Sequence, residues 1–205
     1  SEWYQFMAQP LEQPDLKSLQ SVTLSAEKHA FIAGPSLPLG VKNFHSAFQV
    51  GGRKNALVCL HSFLETRAYQ YNNHISKPLD SRESCSRLSP YLAWGCLSMR
   101  EVHQALQKTR NEVPRGYKIH FSSFGSRLRW HCHFIQKFEM EPRIEFENMN
   151  RAYDQIRFEP DATKFDAWCN GMTGVPLVDA CMRCVAATGY LNFMMRAMII
   201  SFLAL

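Results

Sequence analysis

The stretch Ser86-Arg87-Leu88-Ser89-Pro90-Tyr91-Leu92, followed at once by Ala93-Trp94-Gly95-Cys96-Leu97-Ser98, gathers two helix starts and several anion-seeking groups into one short segment. Ser89 before Pro90 reads as an N-cap followed by proline at the first helical position, where a missing N–H does no harm. The hydroxyls of Ser86 and Ser89, the Arg87 guanidinium and a helix N-terminus are together what a diphosphate needs. Ser98 opens a second helix by capping-box logic, with Glu101 returning a bond to the Ser98 amide. Taken as chemistry alone, a phosphate site and an ordinary cap between two core helices both remain open.

The elements that must position these groups read as helices. After Gly51-Gly52, Ala56, Leu57, Leu60, Phe63 and Leu64 recur at three- and four-residue spacing, and the segment from Glu65 to Tyr71 extends this helix until Asn72-Asn73 and Pro78 break it. Further helices are predicted at about Ser89–Trp94, Ser98–Thr109, His120–Phe138, Phe165–Asn170 and Pro176–Ala187, the last closed by Thr188-Gly189, with a final one from near Tyr190. No run alternates strictly between turn residues, so the fold class is all-α. Residues 1–40 hold four of the ten prolines and read as an extended lead-in.

Composition sets the outer bounds. The chain has 205 residues, 46% hydrophobic and 20% charged, enough for a globular core and unlike a disordered chain. Fourteen phenylalanines suit either a ring-rich core or a planar ligand. Seven cysteines without regular spacing and no signal peptide point to free thiols in a reducing, cytoplasmic compartment. The net charge of +5 is uneven: Arg100 to Lys137 carries eight basic residues against Glu101 and Glu112, interleaved with Tyr117, His120, Phe121, Phe124, Trp130, His131 and His133. That mixture suits phosphate contacts with base stacking, and equally a solvated helix face. Leu191 to Leu205 is too short and too interrupted to span a membrane. The CxxC at Cys181–Cys184 falls on a helix and reads as buried thiols, and no metal site is assigned.

Two blocks carry a resemblance. Ser86-Arg87-Leu88-Ser89-Pro90-Tyr91-Leu92 is similar to the flavin diphosphate segment of the photolyase/cryptochrome family. Trp168-Cys169-Asn170-Gly171-Met172-Thr173-Gly174-Val175-Pro176-Leu177-Val178-Asp179-Ala180-Cys181-Met182-Arg183, continuing to Arg196, Phe202 and Leu203, resembles a second block of the same family in the same order. The resemblance implies a truncated multihelical FAD-binding domain, with residues 1–50 as a linker and 51–205 as the partial domain. The family's amino-terminal antenna domain and the later flavin helices lie outside it. FAD would be held by Tyr71, Ser86, Arg87, Leu88, Ser89 and Arg196, with Cys85 standing where the family has threonine, in a pocket left incomplete in this chain.

DNA bearing pyrimidine lesions would meet Arg127, Arg129, Trp130, His131 and Phe193. Trp130 matches a family tryptophan that packs against a flipped-out lesion, although an aromatic in a helix core is the other reading of that residue. Arg127, His131, Phe193 and Met194 depart from the repair enzymes' pattern, so the resemblance implies light-driven repair or, alternatively, a cryptochrome-like photosensor or an inert fragment. Arg196 is given Asp179 or the diphosphate as its counter-charge. The apolar last helix, without its covering neighbours, is expected to drive self-association.

Overall fold

The computed structural model describes residues 2–12, 47–155 and 161–204, and every regular element among them is helical. In chain order these are α1 (Glu2–Ala8), α2 (Arg53–Glu65), α3 (Tyr71–His74), α4 (Asp80–Ser84), α5 (Ser89–Ala93), α6 (Met99–Glu112), α7 (Lys118–Met140), α8 (Ala162–Cys169), α9 (Pro176–Thr188) and α10 (Phe193–Ala204), with short 3-10 turns between them.

Two apolar clusters hold the chain. The larger lies between α2, α6 and α7 and centres on Leu60, Phe63, Leu88, Val102, Leu106 and Phe121, all essentially inaccessible to water. Burying each such large side chain contributes about 1.5–3 kcal/mol. Phe63 meets Phe124 and Tyr71 edge to face at 4.7 and 5.8 Å, the arrangement favoured by aromatic quadrupoles. At Gly125 of α7 an added Cβ would stand 3.3 Å from Leu106 of α6, so the missing side chain permits these helices to cross closely. The smaller cluster joins α9 and α10 through Val178, Cys181, Met182, Leu191 and Ile199, with Trp168 of α8 against it. Trp168 Nε1 donates to the Ile199 carbonyl at 3.1 Å.

The two clusters meet through polar contacts. Buried Asn192 donates to Ser81 Oγ at 2.6 Å, Arg82 donates to Cys184 Sγ at 2.8 Å, and the Arg87 guanidinium lies 4.0 Å from the centre of the Tyr190 ring. Cys181 is buried and Cys184 half-buried, and no group of three or more metal-ligating side chains converges among the described residues.

Most boundaries follow from local chemistry. Ser98 caps α6, its hydroxyl accepting from Glu101 N at 3.0 Å. Pro176 opens α9, and Gly189 closes it in the left-handed conformation at φ 64°. Several elements differ from the sequence reading. Thr66 turns its hydroxyl back onto the Ser62 carbonyl at 2.8 Å, so the helix from Gly52 stops at Glu65 instead of running to Tyr71. Asn192 Oδ1 accepts from Met195 N at 2.8 Å, so the last helix begins at Phe193. Within the expected lead-in, Glu2–Ala8 is a helix docked on α6, where Gln104 donates to the Met7 and Gln9 carbonyls at 3.0 and 2.7 Å. The remainder of that segment, 13–46, lies outside the described residues.

At α5 the cap is Leu88, whose carbonyl accepts from Leu92 N at 3.0 Å. Ser89 is therefore the first helical residue and makes no side-chain cap. The Leu88 carbonyl already closes the first helical turn, which leaves Pro90 in the second position, where its missing N–H is equally harmless.

Candidate functional site

The loop from Cys85 to Ser89 links α4 to α5 and is built from below by α2. Arg67, just past the end of α2, donates to the carbonyls of Cys59 at 2.9 Å and Ser86 at 3.4 Å, and to that of Cys85. Cys59 Sγ also donates to the Ser86 carbonyl at 3.2 Å, and Gln49 Nε2 to the Arg87 carbonyl at 2.8 Å. Arg87 is the one non-glycine residue at positive φ among the described residues, at 60°. A left-handed residue followed by a right-handed one, here Leu88, makes consecutive amides converge, the geometry that receives anions. Among the described residues the amides of Ser86, Arg87 and Ser89 donate no backbone hydrogen bond, and the Leu88 amide meets only the Ser86 hydroxyl at 3.4 Å. Free amides, two hydroxyls and a guanidinium fit a diphosphate. Leu88 contributes its backbone only, because its side chain is fully buried.

Above this loop the two clusters meet around three weak acids. Burial pushes the Tyr71 phenol well above its ordinary range, Cys85 and Tyr190 reinforcing the rise while Arg127 opposes it by charge and hydrogen bonding. Burial raises the Cys85 thiol, opposed by a hydrogen bond with Tyr190 and by the charges of Arg67, Arg196 and Arg87. Tyr190 is pushed up to about 12, by burial first and then by Cys85. All three are neutral at ordinary pH and ringed by cations. Arg196 is exposed and makes no ion pair among the described residues. Its expected partner Asp179 is engaged elsewhere: it accepts from Thr173 N at 2.7 Å, Thr173 Oγ1 at 2.6 Å and Gly174 N at 3.0 Å. Those bonds clamp the turn before α9, and they hold the carboxyl below the usual range, the Thr173 hydroxyl having the largest effect.

Helix α7 sorts the expected DNA residues by its 100° per residue advance. Arg127, Trp130 and His131 share one side, and all three are exposed. The Arg127 guanidinium sits 5.7 Å from the ring of Phe193 on α10. Trp130 is 49% exposed and touches His133 and Phe134 on its own helix, so it is no core residue. Arg129 departs from this set. It lies about 200° around the helix from Arg127, over Tyr4 of α1 at 5.6 Å. The basic stretch is thus divided, since Arg100 stacks on Phe6 at 4.4 Å and Arg110 donates to Ser122 at 2.9 Å on the α1 side.

Comparison with known proteins bears on the family and the fold. The family model described as "FAD binding domain of DNA photolyase" matches residues 124–205. A deoxyribodipyrimidine photo-lyase of Vibrio cholerae is 32% identical over 152 residues, 70% of this chain and 30% of the relative. The chain belongs to the photolyase/cryptochrome family. A cryptochrome DASH of Idiomarina loihiensis is 29% identical across 74% of this chain and 33% of its own length. A bacterial class III photolyase structure from Agrobacterium tumefaciens superposes with a TM-score of 0.71 at 28% identity, covering 78% of this chain and 32% of that one. The chain therefore spans about a third of the length of these relatives, and its helices correspond to part of a photolyase-type FAD-binding domain. Tyr190, Arg67 and Gln49 were not singled out by sequence as site residues. Tyr190 lay within the second quoted block, whereas nothing in the local pattern marked Arg67 or Gln49 as supports of a loop 18 to 38 residues away.

Proposed function

We propose that this chain supplies the phosphate-holding and lesion-facing walls of an FAD site in a photolyase-type protein that repairs pyrimidine lesions in DNA. The observation that carries the reading is the convergence of Tyr71, Cys85, Tyr190, Arg87 and Arg196, from both apolar clusters, beside a loop with free amides. FAD bound in such a site would supply light-driven electron transfer to the lesion. Ser86, Ser89 and the loop amides would hold the diphosphate, while Arg196 would add positive charge near it. Tyr71 would keep the site dry, because it is buried and its ring packs on Phe63 and Phe124. Trp130 would offer a flipped-out base an apolar face to replace lost stacking, and Arg127 with His131 would flank it.

One observation favours a photosensor instead. The Arg127 guanidinium lies against the Phe193 ring at 5.7 Å and its charge faces the buried Tyr71 phenol, which draws it away from a lesion. The seven thiols are free, which supports a reducing, cytoplasmic location. The last helix exposes Phe193, Met194, Ile200, Phe202 and Leu203, which supports self-association of the isolated chain. Among the described residues no single helix is long and apolar enough to cross a membrane. The deciding experiment illuminates the intact protein with dimer-containing DNA under reducing conditions. Loss of dimers supports repair, and unchanged dimers in a flavin-loaded sample remove it.

A further inference from the structure

On the side of α7 opposite Arg127, a cleft of about 390 Å³ opens between α1 and the α6/α7 pair. Its walls carry Arg110, Arg129, Gln107, Ser126, Tyr4 and His103, and none of the residues that line it is acidic. Neither arginine has a carboxylate partner among the described residues. Both are nevertheless held in place. Arg110 Nε donates to Ser122 Oγ at 2.9 Å, Ser122 in turn donates to the Lys118 carbonyl at 2.8 Å, and Arg129 lies on the Tyr4 ring. Among the described residues the terminal nitrogens of Arg110 and the whole fork of Arg129 have no hydrogen-bond or ion-pair partner.

His103 also lines the cleft. It is only 6% exposed and is held edge-on by Trp3 at 4.8 Å, and the Nδ1 of the one and the Nε1 of the other are both shut off from water, which makes this wall of the cleft rigid packing between α1 and α6.

Two uncompensated guanidiniums facing one concavity focus positive potential there, and their planar forks match the oxygens of phosphate. The volume falls within the range of small-molecule sites, and a concave cleft admits a compact ligand more readily than the convex surface of a duplex. We infer that this cleft binds a small phosphate monoester, with Arg110 and Arg129 gripping the phosphate. The site is separate from the FAD loop and does not depend on the function proposed above.

The test is calorimetric titration of the intact protein with inorganic phosphate and with adenosine monophosphate. The expected result is one saturable site and an affinity loss of about tenfold or more for Arg110→Gln and for Arg129→Gln. Arg110→Lys should lose less, and Lys108→Gln, which removes an equal charge outside the cleft, should bind like the parent. Circular dichroism melting keeps affinity separate from folding. No saturable binding at millimolar ligand overturns the proposal. So does equal weakening by Lys108→Gln and Arg110→Gln in folded protein. Displacement of the monophosphate by duplex DNA, lost in Arg110→Gln, would assign the cleft to a nucleic-acid backbone and overturn the small-ligand reading.

Discussion

Gly171 and Gly174 sit three residues apart in the turn before α9, and replacing each by alanine should have unequal effects. Both adopt positive φ, 63° and 85°, so each alanine meets a left-handed penalty of about 1–2 kcal/mol. Each also recovers about 0.4–1 kcal/mol, because alanine leaves the unfolded chain fewer conformations. Around Gly174 an added Cβ meets nothing within 4 Å, so the net cost there is about 0–1.5 kcal/mol. At Gly171 the Cβ would stand 2.8 Å from the Asp179 carbonyl oxygen and 3.0 Å from Arg183 Cγ. The carbonyl is fixed within α9, and Arg183 is held by its 2.8 Å bond to the Gly171 carbonyl. Overpacking of this kind adds about 1–3 kcal/mol. At roughly 2–4 °C per kcal/mol for a chain of this size, Gly171→Ala should melt about 2–12 °C below Gly174→Ala. Far-ultraviolet circular dichroism melts of the two variants and the parent decide it. Equal melting temperatures would refute the close approach of this turn to α9.

Three further outcomes are expected. Ser86→Ala with Ser89→Ala should weaken flavin binding, read by flavin fluorescence, while Ser89→Ala alone shifts stability by less than about 0.5 kcal/mol because its side chain makes no cap; a loss near 1 kcal/mol in urea unfolding would restore the capping role. Trp130→Ala should leave the melting temperature almost unchanged, since the side chain is half exposed, yet remove preference for lesion-bearing over undamaged DNA in a competition assay; equal losses for both DNAs would count against it. The raised phenol of Tyr190 stays protonated in the fold where an unfolded tyrosine ionises, so its contribution is complete below about pH 10 and is lost as pH rises toward about 12. Tyr190→Phe should therefore flatten the alkaline stability profile between those values, and an unchanged slope would exclude the assignment.

The helical class was legible because apolar spacing and caps agreed: Ser98, Pro176 and Gly189 each mark an end that local hydrogen bonding dictates. Where an end depends on a side chain folding back, as at Thr66 and Asn192, the spacing of apolar residues carries no trace of it. The amide-rich loop was likewise visible in Ser86 and Ser89. Its left-handed Arg87 was not, because a non-glycine residue is held there only by contacts from distant segments. Charge counting alone does not resolve the faces of α7. A run of cations along the chain is wound around the helix, and Arg129 and Arg127 end on different sides.

The position of Arg67 fixes which way the Cys85–Ser89 loop faces. In a trans peptide the carbonyl and the N–H of one plane point in opposite directions. Arg67 draws the carbonyls of Cys85 and Ser86 toward α2, and the same two planes carry the amides of Ser86 and Arg87, which are thereby turned away from the core. The loop thus acquires a polarity: its negative ends are neutralised from within by one cation, and its positive ends are left facing outward. A residue that never touches a bound phosphate would in this way govern how strongly the loop attracts one. Any change at Arg67 that freed those carbonyls to rotate would let the amides swing inward and leave every serine of the segment in place.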